Sequence, residues 1–172
     1  MAGIKQSPPL VVCDAGPLIH LDELACLDLL EDFQEVLVSP EVWREVERHR
    51  PLALRQPGTG LRQVSPAGAP PPALETMAQV LTLHAGEREA LQVALEHAGA
   101  ILLTDDTAAR LAAGNLGLET HGTIGVLVRA IRRLQRTRGQ VLAILRLIPE
   151  QSSLHLKRSL LEAVIAEVER GG

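Results

Sequence analysis

Four acidic positions along the chain have the chemistry to bind a divalent cation together. Asp14 follows the apolar run LVVC, Asp106 (or its neighbour Asp105) follows ILLT, and Glu45 and Glu87 lie in segments of helical periodicity. Carboxylates within about 4 Å of one another repel by about 4 kcal/mol per pair at an effective dielectric constant of about 20, so a cluster needs protonation or a cation. Oxygen ligands favour Mg²⁺ or Mn²⁺ over zinc. Such a cation can activate water for phosphodiester hydrolysis.

Each of these acids also has an ordinary structural explanation. Asp14 can cap the turn after its strand, and Asp105 or Asp106 can be the N-cap of the helix that follows. Glu87 can interact with the dipole of its helix, and Glu45 can pair with neighbouring surface cations. We prefer a shared site because a single topology would bring all four positions to one place.

Short apolar runs alternate with helical periodicities and predict an α/β fold. Predicted strands cover 11–13, 35–39, 61–65, 101–106, 118–121 and 152–156. The alternation through residue 136 indicates a mostly parallel central sheet with helices on both faces, which makes a three-layer α/β/α sandwich. Ligands of such sheets bind at the carboxyl ends of the strands, where the two strand-terminal acids lie.

Helix phase selects one acid from each of two helices. In the helix that Pro40 opens, Glu45 lies three residues after Val42, at the edge of the apolar face, whereas Glu47 points away. We expect the second helix to begin at Glu87, after a break at Gly86. Glu87 then falls in line with the apolar stripe of this helix and Glu89 falls on the opposite side.

Composition predicts one domain over 1–172, with a Pro/Gly-rich loop at 51–72 and a helical extension from about 137. We find no membrane span and no signal peptide, so we expect a cytoplasmic protein. A net charge of −4 and only two aromatic residues argue against a basic nucleic-acid coat and a base-stacking module. The six histidines show no zinc-ligand spacing, so structural or surface roles are expected for them.

Nearly the whole chain resembles a PIN domain, the metal-dependent ribonuclease fold of VapC-type toxins. The resemblance is carried by three segments: VVCDAGPLIHL, VSPEVWREV and GEREALQVALEHAGAILLTDD. The forms GE-x-E and DD-x-x-AR, together with GTIGVL, are similar to a prokaryotic PIN-like subgroup without an assigned function. Many relatives carry Ser or Thr just after the first acid, but here Ala15 and Gly16 follow it.

The resemblance implies a function and a set of site residues. It implies a Mg²⁺- or Mn²⁺-dependent endoribonuclease that cleaves single-stranded RNA, a frequent homodimer, and for many members a toxin with an antitoxin partner. The metal ligands would be Asp14, Glu45, Glu87 and Asp106, with Asp105 adjacent. The alternative is a PIN-like module that binds RNA or protein with little or no nuclease turnover.

Three arginines and one threonine are candidates for binding a substrate phosphate. The candidates that lie beside the predicted acids are Arg44, Arg48, Arg110 and Thr104. A second group of arginines has the spacing of one helical face, which is either a phosphate-contacting track or a solvated surface. This group is Arg129, Arg132, Arg133 and Arg136.

Overall fold

Five parallel strands form the central sheet of the computed structural model, which describes residues 8–171. The strand order is β3-β2-β1-β4-β5, so the first strand lies at the centre. The bounds are β1 (Leu10–Cys13), β2 (Glu35–Val38), β3 (Leu61–Gln63), β4 (Ile101–Leu103) and β5 (Glu119–His121). In β1, Val11, Val12 and Cys13 are fully buried, as expected for a central parallel strand that is covered on both faces.

Helices cover both faces of this sheet, and the predicted three-layer α/β/α sandwich is confirmed. They are α1 (Ala15–Glu23), α2 (Pro40–His49), α3 (Pro72–Val80), α4 (Ala85–Glu96), α5 (Thr107–Asn115), α6 (Thr123–Arg132), α7 (Arg138–Gln151) and α8 (Arg158–Arg170). Two short 3-10 helices cover Leu27–Asp32 and Ala53–Arg55. Within residues 8–171, no helix is both long and apolar enough to cross a membrane.

The predicted break at Gly86 is wrong, because α4 begins at Ala85 and contains this glycine. A Cβ atom at Gly86 would lie 3.4 Å from Val42 Cγ2 and 3.5 Å from Glu45 Oε2. Gly86 therefore allows the start of α4 to approach α2 closely, and it occurs there for packing rather than to end a helix.

The predicted strand at 152–156 is also wrong, since these residues form an irregular connection between α7 and α8. The connection is attached to the end of α1 rather than to the sheet. Glu23 Oε2 accepts hydrogen bonds from Ser152 Oγ at 2.9 Å and from the Ser153 amide at 2.7 Å. Partial burial acts to raise the pKa of Glu23, but these hydrogen bonds outweigh it and lower the pKa.

Candidate metal and nuclease site

An open cavity of about 520 Å³ brings the predicted acids together. We call it the acid cavity. The acids that line it are Asp14, Glu45, Glu87, Asp105 and Asp106. Glu47 and Glu89 do not line it; the Glu89 carboxylate instead accepts a hydrogen bond from the Glu41 amide, 2.9 Å away, at the start of α2.

Two adjacent strands and two packed helices deliver these side chains. Parallel β1 and β4 pair with Cys13 opposite Leu103, so the residues that follow them, Asp14 and Thr104, emerge side by side. Glu45 comes from the middle of α2, and Glu87 from the first turn of α4, which packs on α2. The cavity therefore lies at the carboxyl edge of the sheet, where α/β proteins bind ligands.

Asp14 is the most buried of these acids, with 7% of its surface exposed. Its Oδ1 accepts a hydrogen bond from the Ala15 amide at 2.8 Å, and its Oδ2 accepts one from Thr104 Oγ1 at 2.9 Å. Burial raises the pKa of Asp14 to about 6; the two hydrogen bonds oppose this rise, and the carboxylates of Glu87 and Glu45 add to it. Burial and repulsion disfavour the ionised form of this carboxylate, and a nearby cation would stabilise that form.

Thr104 supplies the hydroxyl that Ala15 and Gly16 lack. Its side chain is buried, and its Oγ1 also accepts a hydrogen bond from the Asp106 amide at 3.2 Å. The prediction that Thr104 contacts a substrate phosphate is therefore corrected: Thr104 is enclosed by protein and positions Asp14.

Two other acids use one oxygen each to cap a helix. Glu87 Oε2 accepts a hydrogen bond from the His84 amide at 2.7 Å, and Asp106 Oδ1 accepts one from the Ala109 amide at 2.7 Å. Their structural explanations are thus correct, and neither excludes a ligand role for the other oxygen. For Glu45, the pairing with a neighbouring surface cation does not occur among residues 8–171.

Side chains in residues 8–171 form no group of three or more His, Cys, Asp or Glu with the proximity needed to hold a metal ion. The acids share a cavity, but the capping hydrogen bonds hold Glu87 and Asp106 in place at its edges. The donor set nevertheless consists of carboxylate oxygens, which fit a hard divalent cation. Binding such a cation would require these side chains to rotate towards Asp14.

Asp105 differs from the other acids because side chains from two helices, His20 of α1 and Thr123 of α6, contact its carboxylate. Oδ2 lies 2.7 Å from His20 Nδ1 and accepts a hydrogen bond from Thr123 Oγ1 at 2.6 Å, and Oδ1 accepts one from the Thr123 amide at 2.8 Å. Burial acts to raise the pKa of Asp105, but the contacts with His20 and Thr123 outweigh it and lower the pKa. Asp105 thereby attaches the end of β4 to α1 and α6, and we assign it this positioning role instead of a ligand role.

Gly122 gives Asp105 the space for these contacts, and Gly122→Ala is expected to destabilise the protein by about 1–3 kcal/mol. A Cβ atom at this position would lie 2.5 Å from Asp105 Oδ1 and 3.3 Å from the Thr104 carbonyl oxygen. Urea unfolding would measure the loss. The control is Gly114→Ala in α5, where a Cβ atom meets open space and helix propensity predicts a gain of about 0.5–1 kcal/mol. Equal unfolding midpoints for Gly122→Ala and the wild type would contradict the expectation.

Sequence reasoning missed three histidines that line the acid cavity: His20, His84 and His155. A signal existed for His20, because it lies four residues after Gly16 on the helix that follows Asp14, and residues at this spacing share a face. The ring uses the space beside Gly16, where a Cβ atom would lie 3.4 Å from His20 Cε1. His155 had no local signal, since it reaches the cavity from the α7–α8 connection.

The arginine candidates do not line the acid cavity. Arg44 pairs with Glu41 at 2.6 Å, Arg48 is exposed, and Arg110 Nη1 donates a hydrogen bond to the Thr104 carbonyl at 3.2 Å. For the second group of arginines, predicted to be either a phosphate-contacting track or a solvated surface, the structure shows a third arrangement. Helix α6 ends at Arg132, and three of the four side chains form ion pairs with acids of the Leu27–Asp32 helix: Arg129 and Arg133 with Asp32, and Arg136 with Asp28.

A family model described as a PIN domain matches residues 10–170, which is nearly the whole chain. A search of curated proteins finds no significant match.

Proposed function

This chain belongs to the PIN-domain family, whose members are generally divalent-metal-dependent nucleases, and we propose that it is a Mg²⁺- or Mn²⁺-dependent endoribonuclease that hydrolyses single-stranded RNA. One observation carries the proposal. Four carboxylates from four separate segments of the chain, those of Asp14, Glu45, Glu87 and Asp106, line the acid cavity at the carboxyl edge of the sheet.

In this proposal, the same four residues hold the cation. When bound, it supplies Lewis acidity that activates water and neutralises charge on the phosphate. Thr104 and the Ala15 amide hold Asp14 in position through both of its oxygens. The raised pKa of Asp14 supports the assignment. A bound cation would offset both the cost of burying the Asp14 charge and the repulsion of this charge by Glu87 and Glu45.

The second candidate is a PIN-like module that binds RNA or protein with little or no turnover. One observation favours it: within residues 8–171, no three His, Cys, Asp or Glu side chains lie close enough together to hold a metal ion. The toxin role, the antitoxin partner and the homodimer that the family resemblance implies stay predictions.

Cleavage of single-stranded RNA by the purified protein separates the two candidates. We expect cleavage with Mg²⁺ or Mn²⁺ and none with EDTA. Glu45→Gln should lower the rate by about 10-fold or more, whereas Glu47→Gln on the same helix should leave it unchanged, because Glu47 does not line the acid cavity. Absence of cleavage of every RNA tried, with either metal, would favour the binding module.

Metal binding is also expected to stabilise the fold. At a Mn²⁺ concentration of about 100 times Kd, the gain is about 2.7 kcal/mol, which raises the Tm by about 5–10 °C for a chain of this size. Differential scanning fluorimetry at pH 7, with and without Mn²⁺, measures this shift. Glu47→Gln should keep the shift. An unchanged Tm in the wild type would argue against an assembled metal site, whatever the RNA assay gives.

A further inference from the structure

A second opening borders the acid cavity and differs from it in charge. It is a groove of about 630 Å³, and it shares Asp105, Leu154 and His155 with the acid cavity. Its walls come from the first turns of α5, α6 and α8 and from the connection at 154–157. We call it the basic groove. The two openings lie side by side, with the connection between them, so a single extended ligand can occupy both.

Two cations line the basic groove without a carboxylate partner. Arg110 and Lys157 are exposed, and neither forms an ion pair with any residue between 8 and 171. Arg110 has only the Thr104 carbonyl as a partner, and the carboxylate of Asp105, which also lines the groove, is already engaged by His20 and Thr123. By contrast, Arg129 in α6 and Arg136 just after it form ion pairs with Asp32 and Asp28. Two cations without a carboxylate partner therefore lie beside the acid cavity.

The N-termini of three helices add to the positive charge of the groove. Thr107 at the start of α5, Gly122 and Ile124 at the start of α6, and Lys157 at the start of α8 all line the groove. Helix N-termini carry partial positive charge, which favours anions close to them. Aliphatic side chains of α8 and of the residue before Lys157 also line the groove: Leu156, Leu160, Leu161 and Val164.

We infer that the basic groove binds the single-stranded RNA that flanks the scissile phosphodiester, with Arg110 and Lys157 contacting its phosphates. Single-stranded RNA has an anionic phosphate backbone and flat bases with apolar faces, which match a groove lined by two cations and by aliphatic side chains. The groove volume is within the range of about 300–1,000 Å³ that suits a ligand of nucleotide size. The inference rests on the proposed function, because the acid cavity supplies the cleavage site at one end of the strand.

RNA binding measured without cleavage tests this inference. A short fluorescein-labelled oligouridine would be titrated with the full chain in EDTA, by fluorescence anisotropy, between about 50 and 200 mM salt. Arg110→Gln and Lys157→Gln should each raise Kd by about 3–10-fold and reduce the slope of log K against log salt by about 1. Both side chains are exposed, so we expect both variants to fold. Thermal midpoints equal to that of the wild type would show this.

The matched control is Arg132→Gln. Arg132 is exposed and has no ion-pair partner among the described residues, but it ends α6 about 11 Å along the axis from Gly125, the last residue of this helix that lines the groove. It should leave Kd and the salt slope unchanged. If Arg110→Gln and Lys157→Gln bind oligouridine as the wild type does, the groove is not an RNA site and a peptide is the better occupant. That result would leave the nuclease proposal intact; weakened binding without cleavage under any metal would instead support the groove and overturn the nuclease.

Discussion

Asp14→Asn is expected to lower the rate of RNA cleavage by at least about 100-fold while the fold is retained. Loss of a residue that only orients a metal ligand costs about 10–100-fold, so loss of a ligand itself should cost at least the upper value. The fold should survive because asparagine keeps an oxygen that can accept the hydrogen bond from the Ala15 amide, and its amide can still bond with the Thr104 hydroxyl.

Cleavage rates at saturating Mg²⁺ or Mn²⁺, with circular dichroism to check the fold, measure this effect. The matched control is Asp22→Asn in the same helix region, where the carboxylate pairs with Arg50 at the surface. Such a pair contributes at most about 1 kcal/mol to stability and should not affect cleavage. Equal rates for Asp14→Asn and the wild type would remove Asp14 from the proposed site.

As the pH rises, the free energy of unfolding of the metal-free protein is expected to decrease because of Asp14. Its pKa is about 6 in the folded protein and 3.8 as an ordinary aspartate. Between these values the folded state keeps a proton that the unfolded state has released, so stability falls as the pH rises through this window. The full difference corresponds to about 3 kcal/mol, reached above pH 6.

Asp105 contributes with the opposite sign. Its pKa is lowered in the folded state, so its contribution to stability is present above the unfolded pKa and is lost as the pH falls. The total pH profile therefore combines both groups, and the contribution of Asp14 must be isolated by comparison with Asp14→Asn.

Urea unfolding in EDTA at several pH values between 4 and 7 isolates it. Between pH 4 and pH 7, the stability of Asp14→Asn relative to the wild type should rise by about 2.4 kcal/mol, because part of the full difference is already present at pH 4. Adding Mn²⁺ at pH 7 should stabilise the wild type and not the variant, since a cation needs the ionised carboxylate. A difference between the two proteins that is constant across this pH range would show that Asp14 does not titrate with a raised pKa.

The sequence alone determined the α/β fold class and the succession along the chain of the strands and helices that form the acid cavity. Short apolar runs predicted β1, β2 and β4, and all three strands are confirmed. An acid at the end of a parallel strand must lie at the carboxyl edge, because the strand direction fixes the edge. Helix phase selected Glu87 over Glu89 for the same kind of reason. An α-helix has about 3.6 residues per turn, so Glu87 falls in line with the apolar stripe and Glu89 does not. These inferences depend only on local geometry.

Tertiary structure decided what each of these side chains contacts. Gly86 was interpreted as a helix break, because its role in bringing α4 close to α2 depends on a residue far away in the sequence. Residues 152–156 have the pattern of a strand, but hydrogen bonds to Glu23 hold them against α1. Asp105 and Asp106 cannot be told apart from the sequence. Only the packed structure shows that Asp105 is engaged by His20 and Thr123, while Asp106 caps α5.

Local sequence and tertiary structure together determine the surroundings of Asp14. Local sequence fixed its position at the end of β1 and showed that no hydroxyl follows it at Ala15 or Gly16. The missing hydroxyl comes from Thr104, which is 90 residues away along the chain and adjacent only because β4 pairs with β1. Periodicity and capping rules operate over a few residues, whereas strand pairing and helix packing connect distant ones. The sequence thus determined which acids reach the cavity, and only the tertiary structure decided which groups surround them.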